Sequence, residues 1–384
     1  MQTLLDKHYT KETKVASACL SRAPNATLVP GKDKLSVVYD VFTNISAPAT
    51  GDYKNINLMF LHGSGMNRAI WEYHIANFTK FLDALPFRFH KIVTLDQVNH
   101  GDSLVLNKNK LGVNFDWVDG ARDACKVAEL EFLQETTTTK AINVVVGHSM
   151  GGFQALSCGI LFPYLFEVII PIEPVVLTPV IPNEDKRTII PENFYRALKG
   201  KMKDRFSLVE CYDRYMEKET FYNRVHPEIL ARIKNFEKVE QNGQIITKMT
   251  NEQNMICYAT LYPGGLWLIQ SLESIVVPVY GIVGGVSNWC PPENQELLIK
   301  KIPNYEKVVI QEGDHLLNIE LPDICIEHIL RAIANYCRIH ASENPGIITD
   351  LSDDKRESKF HGDFEKFIND RVDRKGSKRV LAKF

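Results

Sequence analysis

"VVVGHSMGGFQ", residues 144–154, decides how the rest of the chain is read. Three β-branched residues run directly into Gly147-His148-Ser149-Met150-Gly151, a G-x-S-x-G pattern in which a buried strand turns sharply into a helix. Backbone segments approach so closely in such a turn that side chains at 147 and 151 would collide with them, which accounts for the two glycines. The serine is left at the strand end, facing the N-terminal N–H groups and positive dipole end of the next helix, an environment that favours a developing anion. Ser149 then has two readings, a nucleophile or the packed hydroxyl of an ordinary strand-to-helix turn. Serine alone is a weak nucleophile that needs a base, an acid to orient the base and donors for the oxyanion. The remaining chain must supply them.

Working outward, short β-branched runs recur with helix-length segments between them. They are "KLSVVYDVF" (34–42), "INLMFLHG" (56–63), "HKIVTLDQ" (90–97), "AINVVVGH" (141–148), "FEVIIPIEP" (166–174), "IVVPVYGIVGG" (275–285) and "YEKVVIQEG" (305–313). This alternation predicts an α/β fold built on a doubly wound, mostly parallel sheet covered by helices on both faces. It breaks once, between Pro174 and Ser274, where helical spacing dominates and no convincing strand is visible. Apolar stripes there, as in "DRFSLVECYDRYMEKETFYNRV", read as the core of a helical subdomain, and an insertion over strand ends is where a lid would lie. The expected organisation is an α/β core over 1–173, a helical cap over 174–274, a second core part over 275–340 and a polar tail over 341–384. Within the tail, Phe360, Phe364, Phe367, Ile368 and Val372 share one helical face, an amphipathic helix that docks or seeks a partner.

Composition excludes several classes. With 384 residues, 45% of them apolar, and a net charge of −2, the chain can bury a large core and has no global field for nucleic acid. Its eight cysteines lie at neither CxxC nor zinc-finger spacing and read as reduced core residues. "MQTLLDKHYTKETK" at the start lacks the apolar stretch of a secretory signal. The uncharged span Ser274–Pro292 is rich in Gly, Pro, Val and Ile, which predicts a buried strand and loop, so no transmembrane segment is expected. An intracellular protein acting on a small molecule is the expectation. No GxGxxG, P-loop or HExxH is present, and no cofactor or metal is expected.

The requirements of Ser149 find candidates in the right order. The loop "FLHGSGMN" (60–67) follows an apolar strand, and the backbone N–H of Ser64, with that of Met150, is the candidate oxyanion hole; alternatively its glycines serve only a tight turn. His315, in "VVIQEGDHLLNIELPD" (308–323), lies after the last strand, where the base belongs. The acid is harder to find. The place where an aspartate would follow the strand-end glycines holds Ser287, and no Asp or Glu lies between Glu273 and Glu293. Glu173, however, ends the neighbouring run "VIIPIEPVV", and neighbouring strands of a doubly wound sheet present their C-terminal ends to one crevice. It is the candidate acid, the competing reading being a salt bridge to the lid. Asp96 and Asp314 are expected to brace loops, as are His62 and His100.

Together "FLHGSGMN", "LDQVNHGDS", "VVVGHSMGGFQAL", "IEPVV", "SNWCPP" and "GDHLLNIELPD" resemble the α/β-hydrolase family and, within it, its peroxisomal lipases, from about residue 10 to about 340. That resemblance implies an eight-stranded sheet with a helical cap, and cleavage of carboxylic esters of acyl lipids through an acyl-enzyme on Ser149 with His315 as base. The same fold also carries thioesterases, acyltransferases and carbon–carbon hydrolases, and a non-catalytic scaffold is the further alternative. Two departures stand out: the absent aspartate, and a C-terminus ending Ala382-Lys383-Phe384 where such lipases end in a tripeptide of the S-K-L kind. Small, basic and bulky-apolar is the right order of properties for the peroxisomal import receptor as partner; a basic tail in the cytosol is the alternative.

Overall fold

The computed structural model describes residues 2–45, 53–80, 85–133, 141–176, 191–340 and 352–371. Two compact units are present, Met1–Ala341 and Ser342–Phe384.

The first is built on strands β1 (Tyr9–Ser17), β2 (Ser36–Asn44), β3 (Lys54–Leu61), β4 (Phe87–Leu95), β5 (Ile142–His148) and β6 (Val168–Ile172). After an insertion containing β7 (Arg205–Phe206), β8 (Lys238–Gln241) and β9 (Gln244–Thr247), the chain returns as β10 (Val279–Gly284) and β11 (Tyr305–Ile310). Eight of these form one sheet in the order β1-β2-β4-β3-β5-β6-β10-β11. The β1–β2 and β2–β4 pairs are antiparallel and the rest parallel. This is the doubly wound sheet expected, with the eighth strand that the family resemblance implies.

Strand β5 is buried along its whole length, as a parallel strand with both faces covered must be. Its side chains alternate between two cores. Val145 packs into the core of the Trp117–Phe132 and Met150–Leu161 helices, with Phe153 and Leu156. Val144 and Val146 pack on the other side, into the core of the Glu72–Phe78 and Pro322–Ile339 helices, with Ile75 and Ile329. A central strand clamped in this way gives the turn at its end a rigid base.

The insertion between β6 and β10 is the segment expected as a cap, and here one expectation is corrected. The region is not purely helical: β7, β9 and β8 make an antiparallel three-stranded sheet. The turn joining β8 to β9 is Asn242-Gly243, with φ of 52° and 75°. Both are left-handed, as a two-residue hairpin turn of the Asn-Gly type requires. The apolar stripes of the cap do form its core, where Tyr212, Met216, Ile229 and Ile233 pack with Phe206 and Ile245.

No helix among the described residues is long and apolar enough to cross a membrane, and the uncharged span after Ser274 contains β10. All eight cysteines are free thiols, seven of them buried. The second unit contains the helix Asp353–Arg371, which carries Phe360, Phe364, Phe367 and Ile368. Val372 and the terminal Ala382-Lys383-Phe384 lie outside the described residues.

Candidate active site

The turn after β5 has the tightness that its glycines imply. A Cβ on Gly147 would sit 1.9 Å from the carbonyl oxygen of Gly151, and one on Gly151 would sit 2.3 Å from that of Leu61. Ser149 itself is held at φ 56°, ψ −114°, a conformation rarely adopted by residues with a side chain and concentrated at functional sites. The surroundings enforce it. The Ser149 N–H donates to the Ile172 carbonyl of β6 at 2.9 Å, and its own carbonyl accepts from Phe153 in the following helix at 3.0 Å. The result is a hydroxyl raised at the strand end, beside the first N–H of a helix.

His315 reaches that hydroxyl from the loop after β11. Its Nε2 lies 3.0 Å from Ser149 Oγ, and its Nδ1 lies 3.2 Å from Oε2 of Glu173. The three residues proposed from chain order therefore meet in one hydrogen-bonded row. Glu173 is fully buried at the end of β6, and its N–H donates to the Ile282 carbonyl of β10 at 2.9 Å. Its Oε1 accepts from the Gly284 N–H at 2.7 Å, and its Oε2 also accepts from the Ser287 hydroxyl at 2.5 Å. Three donors thus converge on two oxygens, which a carboxylate, an acceptor at every lone pair, satisfies at once. Ser287, which stands where an aspartate would follow the strand-end glycines, donates instead to Glu173 on the neighbouring strand.

Second contacts fix the imidazole. The Trp289 ring stacks on His315 at 5.4 Å between centroids, 24° from parallel. His148 lies 2.7 Å from the His315 backbone carbonyl through its Nε2. A carbonyl only accepts, so Nε2 of His148 carries the proton, and burial, with His315 nearby, holds its ring well below the ordinary histidine range. Asp314 accepts the His315 N–H at 2.7 Å and pairs with Arg224 at 2.8 Å, bracing the loop as expected. Asp96 is a brace too: it accepts N–H groups from Arg68 and Asp102 and pairs with the Arg68 guanidinium, while burial pushes its carboxyl up to about 6.

The loop after β3 lies against the serine. A Cβ on Gly63 would fall 3.2 Å from that of Ser149, and the Ser64 hydroxyl is 3.5 Å from the sulfur of Met150. Ser64 and Met150 are thus neighbours beside Ser149, and the Met150 N–H, first in its helix, has no intrahelical acceptor. His62 and His100 tie this loop down. His62 bridges the Gly63 carbonyl (2.8 Å) and the Gln97 N–H (3.2 Å), with burial lowering its pKa to about 4. His100 accepts the Gly65 N–H at 3.1 Å.

Above the serine opens a cavity of about 830 Å³ between sheet and cap, lined by Ser64, Met66, Trp289 and His315 from below and by Phe194, Met216, Tyr222, Tyr258 and Leu261 of the cap. Among the described residues one trio has the spacing to hold a metal ion, Glu173, Cys290 and His315, with ligand atoms within 4.8 Å of one another. Two of its members are already engaged in the row that ends at Ser149, and the Cys290 thiol, pushed well up by burial, donates to the Pro174 carbonyl at 3.3 Å. Ser287, Trp289 and Tyr222 are site residues that pattern reading did not single out for these contacts. A small polar residue in place of the missing acid was the one signal available.

Comparison with known proteins agrees with this architecture. The chain is similar to the peroxisomal membrane protein LPX1 of Saccharomyces cerevisiae, with 39% identity over 381 residues, covering 94% of this chain and 96% of the relative. The solved structure of peroxisomal alpha-beta-hydrolase Lpx1 from Saccharomyces cerevisiae matches with a TM-score of 0.83 at 40% identity, over 95% of this chain and 99% of that one. E-2-(acetamidomethylene)succinate hydrolase is similar in fold alone, with a TM-score of 0.55 at 16% identity over 84% of this chain and 99% of that one. A family model described as the alpha/beta hydrolase family matches residues 58–327. With most of the sheet, Ser149, Glu173 and His315 all inside that span, the chain belongs to the alpha/beta hydrolase family.

Proposed function

We propose that the protein hydrolyses carboxylic esters of acyl lipids through an acyl-enzyme on Ser149. The observation that carries this reading is the row Ser149 Oγ, His315 Nε2, His315 Nδ1, Glu173 Oε2, with separations of 3.0 and 3.2 Å at its two ends. His315 takes the proton of Ser149 as the hydroxyl attacks the acyl carbonyl, and returns it to the departing alkoxide. Glu173 holds the Nδ1–H tautomer and stabilises the imidazolium formed in between. The N–H groups of Ser64 and Met150 receive the tetrahedral oxyanion. Water then repeats the cycle on the acyl-enzyme and releases the acid. The aromatic cavity supports an acyl substrate, since such pockets gain affinity by burying apolar surface.

Purified protein is expected to hydrolyse p-nitrophenyl acyl esters and to be labelled by a fluorophosphonate, with Ser149→Ala abolishing both. Undiminished turnover in Ser149→Ala would overturn the reading. A parallel scan of acyl-CoA thioesters against esters of the same chain length separates ester from thioester cleavage. The similarity to a peroxisomal relative supports a peroxisomal location, and the terminal Ala382-Lys383-Phe384 is the segment we assign to the import receptor.

A further inference from the structure

The loop that carries Ser64 is gripped from the cap. Gly65, the next residue, sits at φ 74°, and its two peptide groups are held from opposite sides. Its N–H donates to His100 Nε2 at 3.1 Å, from the core, and its carbonyl accepts from the Tyr222 hydroxyl at 3.0 Å, from a cap residue 157 positions later. The His100 contact has a defined polarity: Nδ1 faces the Asn99 side-chain oxygen at 2.8 Å and so carries the proton, leaving Nε2 to accept.

Two further cap residues act on the same short stretch. Glu237 accepts from the Asn67 amide at 2.8 Å through one oxygen and from the Met249 N–H at 3.1 Å through the other. Asn254 packs on Gly65, its amide oxygen 3.1 Å from where a Cβ on that glycine would lie. Residues 65 and 67 are thus tied to three places in the cap, immediately after Ser64, whose N–H is the proposed oxyanion donor.

We infer that Tyr222 is a positioning residue for catalysis: through the Gly65 carbonyl it sets the Ser64 N–H, so the cap completes the oxyanion hole as well as covering the substrate. The inference rests on the ester-hydrolase reading above. A donor contributes to rate only when aimed at the place the oxyanion will occupy, and losing one outright costs on the order of 10²–10³ in kcat. Tyr222→Phe keeps the Ser64 donor and the aromatic wall but releases the Gly65 carbonyl, two peptide units further along. A loss of about tenfold in kcat is expected, a fraction of the cost of full deletion.

The test uses the full chain and three readouts: kcat and KM for a p-nitrophenyl ester, the Ki of a trifluoromethyl ketone bearing the same acyl chain, and the affinity for the product acid. The ketone reports on the hole directly. Ser149 Oγ bonds to its carbonyl carbon, the serine proton moves to His315 Nε2, and the C=O pair becomes the oxyanion. In Tyr222→Phe, kcat falls and the ketone Ki rises by a similar factor, while KM and acid affinity stay within about twofold. Glu237→Gln, which has one acceptor oxygen for two donors, shifts the same pair of values in the same direction by less and serves if Tyr222→Phe does not fold. Wild-type kcat and Ki in the folded variant would overturn the inference. So would weakened acid binding and raised KM at unchanged kcat, the signature of a mere pocket wall. Wild-type protein that neither hydrolyses esters nor takes a fluorophosphonate would refute the underlying reading and this inference with it.

Discussion

Replacing Glu173 by Gln separates the charge of the acid from its shape. The side chain keeps its length, but three donors, Gly284 N–H, Ser287 hydroxyl and His315 Nδ1, converge on its two oxygens, and an amide has only one. If the amide oxygen faces Ser287 and His315, its NH₂ group meets the Gly284 N–H, donor against donor at 2.7 Å, at about 1–3 kcal/mol for the unpaired buried group. If it turns round, the NH₂ donates to His315 Nδ1, the ring proton moves to Nε2, and the base can no longer accept from Ser149. Either state also lacks the negative charge that stabilises the imidazolium. A change of this kind in a Ser-His-acid triad costs about 10⁴-fold in kcat, or about 5.5 kcal/mol of transition-state stabilisation. The assay is kcat/KM on a p-nitrophenyl ester, with circular dichroism to show that the variant is folded. A Glu173→Gln protein within tenfold of wild type would refute the assignment. A second arm moves the acid: Ser287 Oγ is 2.5 Å from Glu173 Oε2, so Ser287→Asp in a Glu173→Ala background returns a carboxylate to His315. Recovery of at least about tenfold over Glu173→Ala alone is expected from the restored charge, and none would show that the site needs Glu173 itself.

Two further predictions concern the cap and the tail. Burial pushes the Glu237 carboxyl from its ordinary 4.5 up to about 7, so the folded protein binds this proton more tightly than the unfolded chain does. This group's contribution to stability is therefore full below pH 4.5, is lost as pH rises toward 7 and levels off above it, a change of about 3 kcal/mol. Glu237→Gln removes that component, which urea unfolding at pH 5 and pH 8 measures; an identical pH slope in wild type and variant would refute it. In cells, a fluorescent protein fused ahead of the full chain is expected in puncta and, after deletion of Ala382-Lys383-Phe384, throughout the cytosol, whereas an unchanged distribution would argue against a terminal import signal.

What could be read in the sequence divides along physical lines. Strands buried on both faces announce themselves by composition, and all seven β-branched runs, including the more exposed edge strand β11, are strands of the main sheet. The eighth, β1, reads Tyr-Thr-Lys-Glu-Thr-Lys-Val-Ala-Ser. It is a charged edge strand, and such edges are built to look unlike strands, because an apolar edge would invite pairing with another chain. The cap sheet was missed although "VEQNGQII" carries the Asn-Gly turn signal, because the neighbouring helical periods are stronger. Ser149, His315 and Glu173 were legible because their places follow from topology: strand ends, in order, around one crevice. The grip of Tyr222 on Gly65 was not, since no periodicity links residues 157 positions apart.

The position of the proposed acid, Glu173, follows from the sheet. Strands β6 and β10 are parallel neighbours with Ile172 in register with Ile282, so the residues just beyond them emerge about one strand spacing apart, roughly 4.8 Å. A carboxylate from either strand end can reach the same Nδ1, provided that the other end supplies a small partner and not a second charge. Here Glu173 follows β6, while the last residue of β10 supplies the Gly284 N–H and the segment after it the Ser287 hydroxyl as its donors. An aspartate at 287 beside Glu173 would set two carboxylates in contact, and such a pair holds a proton between them. The serine at 287 is therefore the complement of the glutamate at 173: on the proposed triad, the sheet dictates where His315 finds a negative charge and leaves open which of two adjacent strands provides it.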